Sequence, residues 1–211
     1  MNKSFENSSQ VRVQHIAKAM GGEFVYMCYP QKNFSKDDVL ELFKEAHQEV
    51  LRIESKYSEF KESVITAINK NAYNAPVEID EETYNLLKIS LDFSIKTDGF
   101  FDISFASLSI PKRKAKSHKQ ELNKNDEKRL ASLINYKNIY LNPKKSEVSF
   151  LKDEMQISLG GIGKGYAVDK AFEFLKKKGI TNFSVNGSGD LRVHSSPDAP
   201  RPWRLGIRNP F

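Results

Sequence analysis

Residues 157–179 read ISLGGIGKGYAVDKAFEFLKKKG, a short apolar run that breaks into four glycines and resumes with helical periodicity. The pattern predicts a strand, a glycine turn and a helix. Val168, Ala171, Phe172 and Leu175 recur at the spacing of one buried helical face, and Lys176–Lys178 followed by Gly179 supply a basic last turn and a stop. Gly160, Gly161, Gly163 and Gly165 are expected to take left-handed dihedrals and to let a ligand approach the backbone. Because the turn feeds a helix N-terminus, amide donors and the positive end of the helix dipole converge there, with Lys164 adding a full charge. A phosphate group suits that position. The simpler alternative is a turn that lets the helix pack closely on its strand. A Walker loop is excluded because Gly165, not Ser or Thr, follows Gly163-Lys164, and the G-G-x-G-x-G spacing is not the dinucleotide fingerprint.

A chain of 211 residues can bury a substantial core, and 39% hydrophobic with 28% charged residues places it among folded globular proteins. Residues 1–10 read as a disordered tail and 11–211 as one domain. No apolar run is long enough for a membrane span. The N-terminus MNKSFENSSQ lacks the apolar core of a secretory signal, so the expected compartment is the cytoplasm, or the cell envelope if a leader has been removed. The single cysteine, Cys28, rules out an internal disulfide and a cysteine-built metal site, and reads as a buried small hydrophobe. A net charge of +6 favours anionic ligands without choosing among them.

Val11–Ala19 and Glu23–Tyr29 read as a hairpin turning at Met20-Gly21-Gly22. Ser35 and Asp38 have capping-box spacing before a helix over about 36–55, with His47 on its inner face as a core histidine. Residues 56–79 read as a long loop with one helical turn. Asp80 caps a helix that Gly99 ends, with Tyr84, Leu87 and Leu91 inward. FFDISFASL, residues 100–108, reads as a strand interrupted by Asp102, whose carboxylate makes either an Asx turn or a ligand contact. Residues 111–124 read as a basic solvated loop, 126–135 as a short helix, 139–141 and 148–151 as a hairpin. Phe183–Val185 leads into a second glycine turn, NGSGD, and Trp203–Ile207 reads as a last strand. The expected class is α+β with a mixed, mainly antiparallel sheet.

Two glycine turns, each followed by an aspartate (Asp169 and Asp190), suit a diphosphate ligand. LGGIGKGYAVD, TDGFFDISFASL, VNGSGDLR and AMGGEFVYM resemble, in order, four motifs of the ApbE-type flavin transferases: D-L-G-G-I-A-K-G-Y-A-V-D, D-G-x-F-D-I-T-x-x-P-L, A-G-G-D-I-R and an opening M-G-T. The resemblance runs from about Val11 to Phe211. It implies an ApbE-like flavin-binding domain that transfers FMN from FAD to a threonine or serine of an acceptor flavoprotein, with Mg2+. By position it places Met20, Tyr57, Phe101, Asp102, Ile103, Ser158, Lys164 and Asp169 around FAD, and Gly161 and Gly163 at the metal and diphosphate.

Ser158 stands where the family motif opens with Asp, Gly163 replaces Ala, Gly22 replaces Thr, and Ser188 interrupts the Gly-Gly-Asp turn. The family's W-G-F is replaced by the basic stretch. No counterpart is found for the family's H-H-x-x-D-P motif and the side-chain metal ligands after it. Two alternatives follow: an FAD-binding relative of impaired activity, or a basic nucleic-acid-binding module using Lys112–Lys119. The lack of aromatic residues among those lysines speaks against nucleic acid.

Overall fold

The computed structural model describes residues 12–30, 33–196, 198 and 202–206. The expected tail at 1–10 and the end of the expected last strand at Ile207 lie outside them. Contacts divide the chain into two compact units, one from the N-terminal part through Glu54 together with the residues from Lys164 onward, the other Ser55–Gly163. All strand pairs among the described residues are antiparallel, so the α+β class holds while the ladders divide into two separate sheets.

The first unit is built on a four-stranded sheet in the order β1 (Val13–Ala19), β2 (Gly22–Cys28), β6 (Phe183–Gly187), β7 (Asp190–His194). Alternation along β2 buries Phe24, Tyr26 and Cys28, as the period of two requires. Its helices are α1 (Lys36–Lys56) and α6 (Gly163–Lys177). The Ser35/Asp38 capping box forms as the spacing predicts, with Asp38 N–H donating to Ser35 Oγ at 3.1 Å and Ser35 N–H to Asp38 Oδ2 at 2.9 Å. Val168, Ala171, Phe172 and Leu175 are all buried. Gly187 has to be glycine: a Cβ there would stand 2.8 Å from both Phe24 and Val168 side-chain atoms. Burial pushes the Cys28 thiol up to about 12, which keeps it protonated and inert. Residues 203–206 form no strand; the Trp203 indole N–H donates instead to His194 O and Ser195 Oγ, at 3.3 and 3.1 Å.

His47 is a core histidine in this unit, its Nδ1 sharing a 3.0 Å hydrogen bond with the Tyr26 hydroxyl. Desolvation holds its pKa below the ordinary histidine range and nearby His15 adds to this, while a hydrogen bond to the Lys18 backbone and the Glu54 charge oppose it. The unfolded chain therefore binds this proton more readily than the folded one. Stability is fully present above about pH 6.5 and falls as pH drops below it toward the folded pKa. Urea midpoints measured from neutral to mildly acid pH should decline, and His47→Gln should flatten that decline.

The second unit holds α2 (Val64–Asn71), β3 (Val77–Glu78), α3 (Glu81–Lys96), α4 (Ala106–Ser117), α5 (Lys124–Ala131), β4 (Ile139–Asn142) and β5 (Glu147–Phe150), with the short sheet ordered β3-β5-β4. Four readings of this region change. Residues 56–79 are not one long loop, because Ser63 and Thr66 form a capping box that opens α2. The inner face of α3 is Thr83, Leu86, Leu87, Ser90 and Ser94, and Tyr84 and Leu91 sit at its margin. Ser90 and Ser94 are tolerated inside because their hydroxyls donate to the carbonyls of Leu86 and Ser90. Residues 100–108 are no strand: Ile103–Phe105 form a 3-10 turn that runs directly into α4, and the basic stretch is helical through Ser117 despite Pro111. Pro111, sixth in α4, supplies no N–H to that helix's hydrogen-bond ladder.

Candidate functional site

The strand expected at 157–159 does not form, and the decisive stretch is held at its head by a side chain instead. Ile157, fully buried, donates its N–H to Asn69 Oδ1 at 2.7 Å and accepts at its carbonyl from Asn69 Nδ2 at 3.0 Å. A side-chain amide has the donor and acceptor geometry of a peptide, so Asn69 on α2 acts as a one-residue strand. Ser158 N–H then donates to Ile103 O at 3.0 Å. Gly160 N–H donates to Ser158 Oγ at 3.1 Å, and Gly163 N–H to Leu159 O at 2.6 Å.

None of Gly160, Gly161, Gly163 or Gly165 has a positive φ, so the expected left-handed turn is not what they provide. Gly163 and Gly165 already belong to α6. At Gly161 the missing side chain makes room: a Cβ would lie 3.2 Å from Cε2 of Phe101. At Gly165 a Cβ would meet no atom within 4 Å, so neither dihedral nor packing accounts for glycine in a helix, where it costs about 1 kcal/mol relative to alanine. A backbone surface kept bare at a helix's first turn is suited to a close-approaching ligand.

Asp102 resolves as a cap. Its Oδ1 accepts from Ser104 N–H at 2.8 Å and Ser104 Oγ at 2.6 Å, and its Oδ2 from Tyr136 N–H at 2.8 Å. Ser104 Oγ in turn accepts from Asn135 N–H at 2.9 Å. Four donors around one carboxylate–hydroxyl pair fix the turn that carries Phe101, Asp102 and Ile103. Phe101 packs edge-on to Phe93, ring centres 6.3 Å apart. The two motifs, some 55 residues apart in sequence, are thus joined at two points, Ser158 on Ile103 and Gly161 on Phe101. Tyr57 is buried in the same unit, its hydroxyl 3.4 Å from Thr83 Oγ1, and burial raises its pKa.

In the first unit, Met20 and Gly21 turn the β1–β2 hairpin with φ of 51° and 74°, the dihedrals of a two-residue primed turn. Glu54 Oε1 accepts the Met20 N–H at 2.7 Å, and together with residues 18–23 lines a cavity of about 580 Å³. Asp169 on α6 pairs with Arg192 of β7 at 2.9 Å; that guanidinium also reaches Glu173 at 3.1 Å and lies 3.9 Å over the Phe172 ring. Lys164 stands in the first turn of α6. The departures at Gly22 and Ser188 are one adjustment in space, since a Cβ at 22 would stand 2.0 Å from Ser188 Oγ. Threonine at 22 and serine at 188 in this rotamer exclude each other.

The residues do not fit a side-chain-built magnesium site. Among the described residues no group of three His, Cys, Asp or Glu converges. Asp102 accepts from backbone and hydroxyl donors and Asp169 pairs with Arg192, whereas magnesium ordinarily takes one or two carboxylates. Asn69 and Glu54, which hold the glycine turn and the hairpin tip, were not picked out as site residues. Their only sequence signal is position, an amide at the end of a short helix and a carboxylate near the end of a long one.

The fold and its fastened turns define an α+β protein built around a glycine-opened helix. The chain belongs to the ApbE family, whose sequence profile matches residues 15–211. It is 29% identical over 139 residues to the FAD:protein FMN transferase of Buchnera aphidicola subsp. Schizaphis graminum, covering 63% of this chain and 40% of that protein. To the protein of the same name from Haemophilus influenzae it is 22% identical over 204 residues, covering 91% and 58%. The crystal structure of the ApbE protein from Thermotoga maritima superposes with a TM-score of 0.79 at 28% identity, covering 95% of this chain and 64% of that one. The flavin transferase ApbE of Vibrio cholerae shares the fold, with a TM-score of 0.81 at 18% identity and coverage of 95% and 64%. The chain thus spans less than two thirds of the length of these relatives. No helix among the described residues is long and apolar enough to cross a membrane.

Proposed function

We propose that this chain binds FAD and serves the transfer of its FMN half to a threonine or serine of an acceptor protein. The observation that carries the reading is the fastening of the Phe101–Ile103 turn to the glycine turn through Ser158 and Gly161. Both segments match motifs of the family, and the contacts between them serve no sheet or helix. The bare first turn of α6, with Gly165 and Lys164, supports a phosphate there. In the reaction the acceptor's hydroxyl oxygen bonds to the FMN-side phosphorus as the bond to the bridging oxygen breaks and AMP departs with that oxygen. The hydroxyl proton passes to solvent or to AMP. Positioning of the diphosphate would supply much of the rate.

Dependence on magnesium is part of the same proposal and rests on the family resemblance. Because no three carboxylate, imidazole or thiol groups converge among the described residues, no step is assigned to the ion, and the chain supports FAD binding more strongly than turnover. Fluorescence titration with FAD tests the reading. Saturable binding that ATP competes only partly, and that Gly161→Leu weakens by pushing on Phe101, is expected. Absence of saturable FAD binding by the folded chain, with or without magnesium, would refute it.

A further inference from the structure

We propose that the α4–α5 hairpin is the docking surface for an acidic segment of the acceptor protein. That an acceptor exists rests on the flavin-transfer reading; the chemistry of its contact rests on the hairpin. Between Ala106 and Ala131 the chain carries eight Lys and Arg against three Asp and Glu, so this stretch alone supplies +5 of the net +6. Such concentration on one projecting element steers an acidic partner and fixes its orientation.

The charges are arranged as well as concentrated. Lys112, Lys116 and Lys119, spaced four and three apart, line a groove of about 620 Å³ together with Gln120, Glu121, Leu122 and Glu127. Lys112 is committed to Glu127 at 2.9 Å, while Lys116 and Lys119 form no ion pair with any described residue. Lys119 also sits at φ 57°, in the left-handed position after α4, where Gln120 N–H closes back on Ala115 O at 2.9 Å. Glycine is the usual residue there, and a side chain costs about 1 kcal/mol.

The hairpin is rooted at the candidate site. The Asp102-capped turn runs without a break into α4, and Ser107 Oγ both accepts from Gln156 N–H at 3.0 Å and donates to Gln156 O at 3.1 Å, just before the glycine turn. From Ser107 to Lys116 is about 14 Å of helix, so a segment held by Lys116 and Lys119 lies within one short peptide's reach of the turn. A nucleic acid fits less well, because residues 106–131 contain no Phe, Tyr or Trp to stack on bases. A bilayer fits less well because residues 112–121 expose no large apolar side chain to enter it.

The test uses the full chain and a fluorescent peptide alternating Glu and Gly, against a Lys-Gly peptide, single-stranded oligo-dT of equal charge and phosphatidylserine vesicles. The acidic peptide should bind with an affinity that falls steeply with salt, and Lys116→Glu with Lys119→Glu together should weaken it by about tenfold. Lys119→Gly should weaken the peptide while leaving or raising the melting temperature, separating charge from fold. FAD titration should be unchanged in both variants, so a failure of FAD binding and a failure of docking are read independently. The inference is overturned if the acidic peptide does not bind, if it binds equally to the variants, or if oligo-dT or vesicles bind more tightly through the same two lysines.

Discussion

Replacing Asn69 with leucine is expected to cost about 2–5 kcal/mol and to abolish measurable FAD binding. Leucine has the same branched skeleton of side-chain heavy atoms as asparagine, but it can neither accept from the Ile157 N–H nor donate to the Ile157 carbonyl. Ile157 is fully buried, so water does not replace either bond, and each stranded backbone group costs about 1–3 kcal/mol. For a chain of this size that is a fall in melting temperature of about 4–20 °C. The functional loss follows from position: Ser158, Gly160 and Gly161 come next in the chain, and the bond of Ser158 to Ile103 and the approach of Gly161 to Phe101 then hold the turn without the anchor at its head. Asn69→Asp separates the two bonds, because its carboxylate still accepts from the N–H but sets an oxygen against the carbonyl. It should fall between wild type and leucine in both melting temperature and FAD affinity. A leucine variant that melts and binds like wild type would show that Asn69 does not hold the turn.

Asp102→Ala is expected to be nearly as severe for binding, by removing an acceptor on which three donors converge. Hydrogen bonds to a charged group are each worth about 1.5–3 kcal/mol, though Ser104 Oγ keeps its bond to Asn135 and water reaches part of this half-buried site. A net loss of about 2–3 kcal/mol and a weakening of FAD by about tenfold or more are expected, the latter because Ile103 and Phe101 lose their fixed turn. Asp102→Asn discriminates a cap from a charge. It can still accept from Ser104 at Oδ1 but sets an amide donor against Tyr136 N–H, so it should recover part of the stability. If Asn restores stability fully yet FAD binding stays lost, the carboxylate's charge touches the ligand and its role as a cap is secondary.

Much of this architecture could be read from periodicity and punctuation. The face of α6, the capping box before α1, the Asp80 cap before α3, the β1–β2 turn and the 139–151 hairpin all depend on residues within four positions of one another, and local rules reach that far. Where an element's conformation was set from a distance, local reading failed. FFDISFASL has strand composition, yet it folds as a 3-10 turn because Asp102 finds Tyr136 and Ser104, one of them 34 residues away. The inner face of α3 was misplaced because two serines satisfied themselves on their own helix and became admissible to the core, which hydrophobicity does not register.

The sequence by itself determined the class of the fold, the helix that opens at the glycines, the basic excess between residues 106 and 131, and the family motifs in their order. Only the tertiary structure decided what each glycine is for: Gly161 yields space to Phe101, Gly187 to Phe24 and Val168, Gly22 to Ser188, while Gly165 yields space to nothing in the protein. It alone assigned Asn69 and Asp102 their partners, 88 and 34 residues away. The reason is physical. Backbone preference and amphipathic spacing act over a few residues, whereas a buried polar group takes whichever partner the closed chain brings within about 3 Å, and chain closure is a property of the whole fold.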